Sequence, residues 1–141
     1  MTTSRIIYSN PDGSVVVIIP TGELPIKDVA AKDVPEGIAY EIVTTDDIPV
    51  DRTFRGAWVL GDCCIDHDLG KCKGIAHDKR RVARATEFAP HDEVIMKQIP
   101  GADAVAAEEA RQEIRDKYAK IQSDIDAAVD VEEIKAALEG A

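Results

Sequence analysis

The chain has 141 residues, 45% of them hydrophobic but only 4% aromatic, and a formal net charge of -10. That length serves one ordinary domain, or a small domain with a helical appendage, and it can bury a core without metal or disulfide. The charge argues against sequence-independent nucleic-acid binding, which needs Lys and Arg clustered on one face, and no apolar run approaches the ~18 residues of a membrane helix.

The opening stretch, M-T-T-S-R-I-I-Y, lacks the long apolar core of a signal peptide. Three Cys, an odd number, do not make a secreted disulfide framework, so a cytoplasm and reduced thiols are expected. Two apolar runs, Arg5 to Ser9 and Ser14 to Ile19, flank Asn10-Pro11-Asp12-Gly13, whose residues preset a turn and predict a hairpin. V-V-V-I-I is apolar on both faces, which predicts a central strand covered on both sides, or one covered by a partner chain. Leu24 to Val34 has helical spacing and stops at Pro35, giving a short helix that is marginal alone and must lie on the sheet. Ala39 to Val43 reads as a third strand with Tyr40 and Ile42 on one face. Thr44 to Pro49 reads as a loop or a single helical turn.

Val50 to Ile65 is the seam of the chain. It holds the only Trp, and the pattern changes across it from β-branched to charged and Ala-rich. Asp51 to Ala57 fits either a helical turn or an irregular loop. Trp58 to Leu60 and Cys63 to Ile65, joined by Gly61-Asp62, read as a short hairpin in which the adjacent Cys63 and Cys64 would point to opposite sides. Arg52 and Arg55 flank Phe54 and Trp58 and can stack on them or pair with carboxylates.

Beyond Ile65 the period becomes helical. Asp66 can cap a basic helix to about Phe88, ending at Pro90, with Leu69, Cys72, Ile75 or Ala76, Lys79, Val82 and Thr86 on one stripe. Gly70 and Gly74 weaken its first turns. A short helical segment, His91 to Gln98, closes at Pro100-Gly101. Asp103 to Val129 is expected to be the longest helix, acidic and carrying a narrow seam of Ile114, Tyr118, Ile121 and Ile125. Pairing it antiparallel with the basic helix is electrostatically favoured, yet the interrupted basic helix covers the seam poorly, which predicts contacts with another chain. Asp130 and Glu133 form a capping box for a last helix with Val131, Ile134 and Leu138 on one face. The fold class is thus α+β: a small antiparallel sheet with one short helix in residues 1–65, then a helical hairpin or loose bundle in residues 66–141.

On these pieces the chain resembles a family of small accessory proteins of tailed bacteriophages, encoded beside tail and tail-fibre genes. The resemblance rests on the strand pair around Pro11-Asp12-Gly13, on the phrase Asp51-Arg52-Thr53-Phe54-Arg55-Gly56-Ala57-Trp58, and on a basic helix followed by an acidic one. It is similar in layout to tail-fibre assembly proteins. The three Cys and Pro100-Gly101 depart from the pattern. The resemblance implies a non-enzymatic virion component or assembly factor, present in the host bacterial cytoplasm during assembly and in the virion afterwards. Its partners would be other tail or fibre proteins, or copies of itself. It brings no catalytic residue and no cofactor; the interaction candidates are Arg52, Phe54, Arg55, Trp58, Ile114, Tyr118, Ile121 and Ile125.

The alternative is a small zinc-binding interaction module using Cys64, His67, Cys72 and His77, whose ligand types suit a tetrahedral site. Cys72, however, falls on the apolar stripe as a small core residue. Nucleophilic chemistry at Cys64 with His67 is disfavoured by Asp62, Asp66 and Asp68, which oppose a thiolate. Gly70 and Gly74 lack the context of a phosphate loop, and the basic run Lys71 to Arg84 reads as a solvated face or a partner of the acidic helix.

Overall fold

The computed structural model describes residues 3–141 except Cys63 and Ile99. The chain divides into two compact units, one ending at Asp68 and the other beginning at Leu69. The expected α+β class holds.

In the first unit, β1 (Ser4–Ser9), β2 (Val15–Ile18) and β3 (Tyr40–Thr44) form an antiparallel sheet in the order β2-β1-β3. The predicted hairpin is present. Gly13, at φ 86°, donates its N–H to Asn10 O at 2.9 Å, a backbone that favours glycine, and Asp12 accepts from Ser14 N at 2.9 Å. The Val-rich strand expected at the centre is instead an edge; β1 is central. Its neighbours Ile6 and Ile7 point to opposite faces and are both fully buried, because each face has its own cover.

On one face, Ile6, Tyr8, Val16 and Ile18 receive Val29 and Ala30 of helix α1 (Ile26–Asp33) and the following Val34. The other face, carrying Ile7, Val15, Val17 and Val43, receives Ile48, Trp58 and Ile65. Two-sided cover explains why β2 is apolar throughout although it lies at the edge. A helix of two turns is stable here only because Val29 and Ala30 are buried on the sheet. Pro35 disfavours helical backbone at Val34, whose φ and ψ are extended.

The seam hairpin consists of β4 (Trp58–Leu60) and β5 (Ile65–His67), with Leu60 opposite Ile65 and Trp58 opposite His67. Asp66 is therefore a strand residue paired with Val59, not a helix cap, and the boundary falls three residues later than 65/66. The reason is that β5 runs on to His67, and Asp68 N then bonds Ala57 O at 2.8 Å. Cys64 lies in the bend between the strands, and the prediction for Cys63 falls outside the described residues.

The second unit is helical: α2 (Leu69–Lys97), α3 (Ala104–Ala127) and α4 (Val131–Leu138). Helix α2 passes through Pro90, where an end was expected, and so absorbs all but Gln98 of the separate segment His91 to Gln98 and becomes the longest helix, with 29 residues to the 24 of α3. Proline removes one helical N–H, but Pro90 is exposed, so water can reach the carbonyl it leaves unmet. The break comes later, where Gln98 and Gly101 take positive φ.

The buried stripe of α2 is Cys72, Ala76 and Arg80, and the predicted members Lys79 and Val82 are exposed. Small side chains at 72 and 76 let α3 approach closely, filling the space with Ile114, Tyr118, Ile121 and Ile125. Ala107, Ala128 and Ile134 are buried with them, α4 packing on both long helices. The seam expected to lack cover is thus internal. Asp103 caps α3 by accepting from Ala106 N at 3.0 Å, and Asp130 caps α4 by accepting from Glu133 N at 2.8 Å. Glu133 accepts from Val129 N, one residue before the reciprocal partner of a capping box.

The α2–α3 pair is antiparallel, as its cross-links show: Lys73 Nζ to Asp126 O (2.9 Å), Lys117 Nζ to Glu87 Oε1 (2.7 Å) and Arg111 Nε to Asp92 Oδ1 (3.0 Å). The last is an ion pair without hydrogen-bond alignment. Charge complementarity was expected to run from basic α2 to acidic α3. It does so at the Asp126 end, and it is reversed at the other, where α2 supplies Glu87 and Asp92.

Candidate interaction surface

The phrase from Asp51 to Trp58 folds as a local unit, and each of its residue types has a task. Asp51 accepts from Thr53 N at 2.9 Å and from Thr53 Oγ1 at 2.5 Å, which turns the chain. Arg55 to Ala57 then make a 3-10 turn, Ala57 N bonding Phe54 O at 2.9 Å. This settles the choice between helical turn and loop in favour of a turn entered by a loop.

Spacing sends Phe54, Ala57 and Trp58 inward and leaves Asp51, Arg52, Thr53 and Arg55 outside. Trp58 is 1% exposed among Ile7, Ile48 and Ile65. The guanidinium carbons of Arg52 and Arg55 stand 5.9 and 5.2 Å from the centroid of its ring. A cation over an indole face is attracted by the ring quadrupole, so the two exposed arginines lid the plug. Trp58 Nε1 is buried with no hydrogen-bond partner among the described residues.

Beside this plug lies a cleft of about 240 Å³ lined by Arg5, Val17, Ile19, Ile48, Val50 and Arg52, among others. Ile19 is 64% and Val50 95% exposed. The cleft is lined mainly by apolar side chains, with an arginine at two points, Arg5 and Arg52. Next to it, the Asp47 carboxylate accepts from Thr44 N and Thr44 Oγ1, both at 2.8 Å, and these bonds hold its pKa below the ordinary 3.8.

Of the seventeen Lys and Arg residues, only Arg5, Lys27, Lys32, Arg52 and Arg55 precede Leu69, against twelve Asp and Glu. Three of those five cations therefore belong to the cleft rim or the Trp58 lid. Among the described residues none of the three forms an ion pair. Of the predicted interaction residues in this phrase, Arg52 and Arg55 are exposed and stand over Trp58, whereas Phe54 and Trp58, each 1% exposed, belong to the core. Sequence reading missed Arg5, Ile19 and Val50. The apolar Val50 directly after a proline and before the polar Asp51-Arg52-Thr53 was the available signal.

The other predicted interaction residues, Ile114, Tyr118, Ile121 and Ile125, are at most 8% exposed, so they form a core and not a surface. Tyr118 donates its hydroxyl to Glu87 Oε1 at 2.8 Å. Burial, then that bond, push its phenol up to about 12. Hydrogen bonds from Lys117 and Tyr118 hold Glu87 below the ordinary 4.5.

The alternative zinc set is not gathered by the helix that carries half of it. Cys72 and His77 are five apart on α2, about 140° around the axis by helix geometry, and so cannot face one ion. His77 is also engaged: Arg80 Nε donates to His77 Nδ1 at 3.3 Å, which leaves Nε2 to donate to Asp126 Oδ1 at 2.8 Å. No group of three or more His, Cys, Asp or Glu among the described residues is arranged to hold a metal. In the basic run, Lys73 bonds Asp126 O, Arg81 bonds Asp78 and Arg84 lies 4.8 Å over Phe88. No helix among the described residues is long and apolar enough to cross a membrane.

Compared with protein-family models, curated proteins and solved structures, the chain matches none.

Proposed function

We propose that the protein is a non-enzymatic accessory protein of a bacteriophage tail or tail fibre, a virion component or an assembly factor, acting through protein-protein contacts. The observation that carries this reading is the construction of the Asp51 to Trp58 phrase. Its apolar members are spent on the core, and its two arginines stand outward over Trp58 without carboxylate partners among the described residues, beside an apolar cleft. Such a surface suits docking: exposed apolar side chains supply contact area, and unneutralised arginines supply specificity.

The resemblance in that phrase supplies the setting: the host cytoplasm during assembly, then the particle, with tail or fibre proteins as partners. The test is affinity capture of the tagged chain from cells producing the phage, with the captured proteins identified by mass spectrometry. Enrichment of tail or fibre proteins is expected; their absence under conditions where the chain is folded and abundant would overturn the proposal.

A further inference from the structure

The geometry points to an acidic, extended peptide segment of a partner protein, alternating apolar and carboxylate side chains, as the occupant of the cleft between Arg5 and Arg52. This deepens the docking reading above and rests on it. Four observations converge. The lining is mainly apolar and its two most exposed members, Ile19 and Val50, are aliphatic, so they call for aliphatic partners and not for a sugar or a nucleobase.

The rim is cationic in a unit that is otherwise strongly acidic, and Arg5, Arg52 and Arg55 meet no carboxylate of their own chain among the described residues. Arg5 does no more than donate to Ser4 O at 3.1 Å. Guanidinium groups offer forked donors that match carboxylates two at a time, so an acidic partner is the complementary one.

The remaining charge of the unit, twelve carboxylates against Lys27 and Lys32, repels a polyanion such as nucleic acid while tolerating a peptide with a few well-placed acids. Finally, the cleft is bordered by β2, an edge strand with β1 on one side only. An edge strand presents backbone donors and acceptors to an incoming extended segment, and in such a segment alternate side chains point opposite ways. Aliphatic residues would then enter the cleft while acidic ones reach the rim.

The test is fluorescence anisotropy of the full chain with a labelled, end-blocked peptide of alternating Glu and Val. Controls are the Lys and Val counterpart, oligoglutamate and a single-stranded oligonucleotide. Binding of the Glu and Val peptide alone is expected, weakening at least about tenfold from low to high salt and about tenfold or more in Arg5→Glu with Arg52→Glu. Val50→Asp, at a nearly fully exposed position, keeps the test independent of folding and should lower affinity by a similar factor. Unchanged Trp58 emission confirms that the variants are folded.

Equal binding of the Lys and Val peptide, preference for the oligonucleotide, no binding, or insensitivity to all three substitutions would each overturn the proposal. So would self-association that is lost in the same variants without peptide binding, since it would place a second copy in the cleft. Failure here leaves the capture of tail proteins untouched, and failure of that capture leaves the chemistry of the cleft intact, so the two outcomes are separable.

Discussion

Trp58 shows how one residue can be both structural and diagnostic. As the only Trp, it reports on the first unit alone. Its ring fills the space between Ile7, Ile48 and Ile65, so Trp58→Ala should cost about 3–5 kcal/mol in urea unfolding of that unit. Trp58→Phe should cost less, because it removes an indole N–H that is buried without a partner among the described residues and keeps an aromatic plug. Native emission should be blue-shifted and move to the red on unfolding. Emission already at the water value before denaturant would contradict the burial. The importance of Trp58 was legible in its uniqueness and position. The cleft beside it was not, because Arg5, Ile19 and Val50 are distant in sequence and converge only through the sheet and the turn after β3.

Elements were read well where a local rule decided them and poorly where tertiary packing did. The Pro11-Asp12-Gly13 turn, α1 with its stop at Pro35, and the cap at Asp130 all follow from local chemistry. The end expected at Pro90 failed because proline forbids one backbone bond, not a helix, when the freed carbonyl is exposed. Pro90→Ala should therefore stabilise the helical unit, by about 1–3 kcal/mol if the full interior penalty is partly relieved already. A higher melting temperature by far-UV circular dichroism is the expected readout, and a lower one would show that the proline is needed for the packing.

The position of β2 was misread for a related reason. An apolar run reveals cover on both faces but not which neighbour in the sheet is missing. The depth of the α3 seam was legible from its spacing; its cover was not, because Cys72 and Ala76 look too small to be a partner surface until the helices are close.

Glu87 provides the pH signature of the α2–α3 pair. Its folded pKa lies below the unfolded value, so its contribution is present above that value and is lost as pH falls through the folded one. Stability of the helical unit should thus decline below the ordinary 4.5, and Glu87→Gln should flatten part of that decline. Tyr118 acts in the opposite direction: its raised pKa gives stability that is complete below the ordinary 10.0 and lost as pH rises toward about 12. Melting curves that are flat across both windows would contradict the Lys117–Glu87–Tyr118 arrangement.

For the whole molecule, the buried state of Ile114, Tyr118, Ile121 and Ile125 changes what a substitution there can report. Ile121→Asp places a charge in a packed core and should unfold the helical unit, with loss of helical circular dichroism and not a mere change of oligomeric state. A folded variant whose light-scattering mass falls to half would show instead that the seam joins two chains. The α3 seam is thereby excluded as an exposed docking surface, and the proposed docking rests on the cleft of the sheet unit, where Ile19 and Val50 are exposed beside Arg5 and Arg52.

On the proposed function, the chain works by contact with phage tail or fibre proteins. The most direct measurement is quantitative mass spectrometry of tail subassemblies and finished particles, separated by sedimentation from cells producing the phage. The chain is expected to co-sediment with tail or fibre proteins in at least one of these fractions, at a constant ratio to them. A chain found only at the top of the gradient, in every fraction free of those proteins, would contradict it.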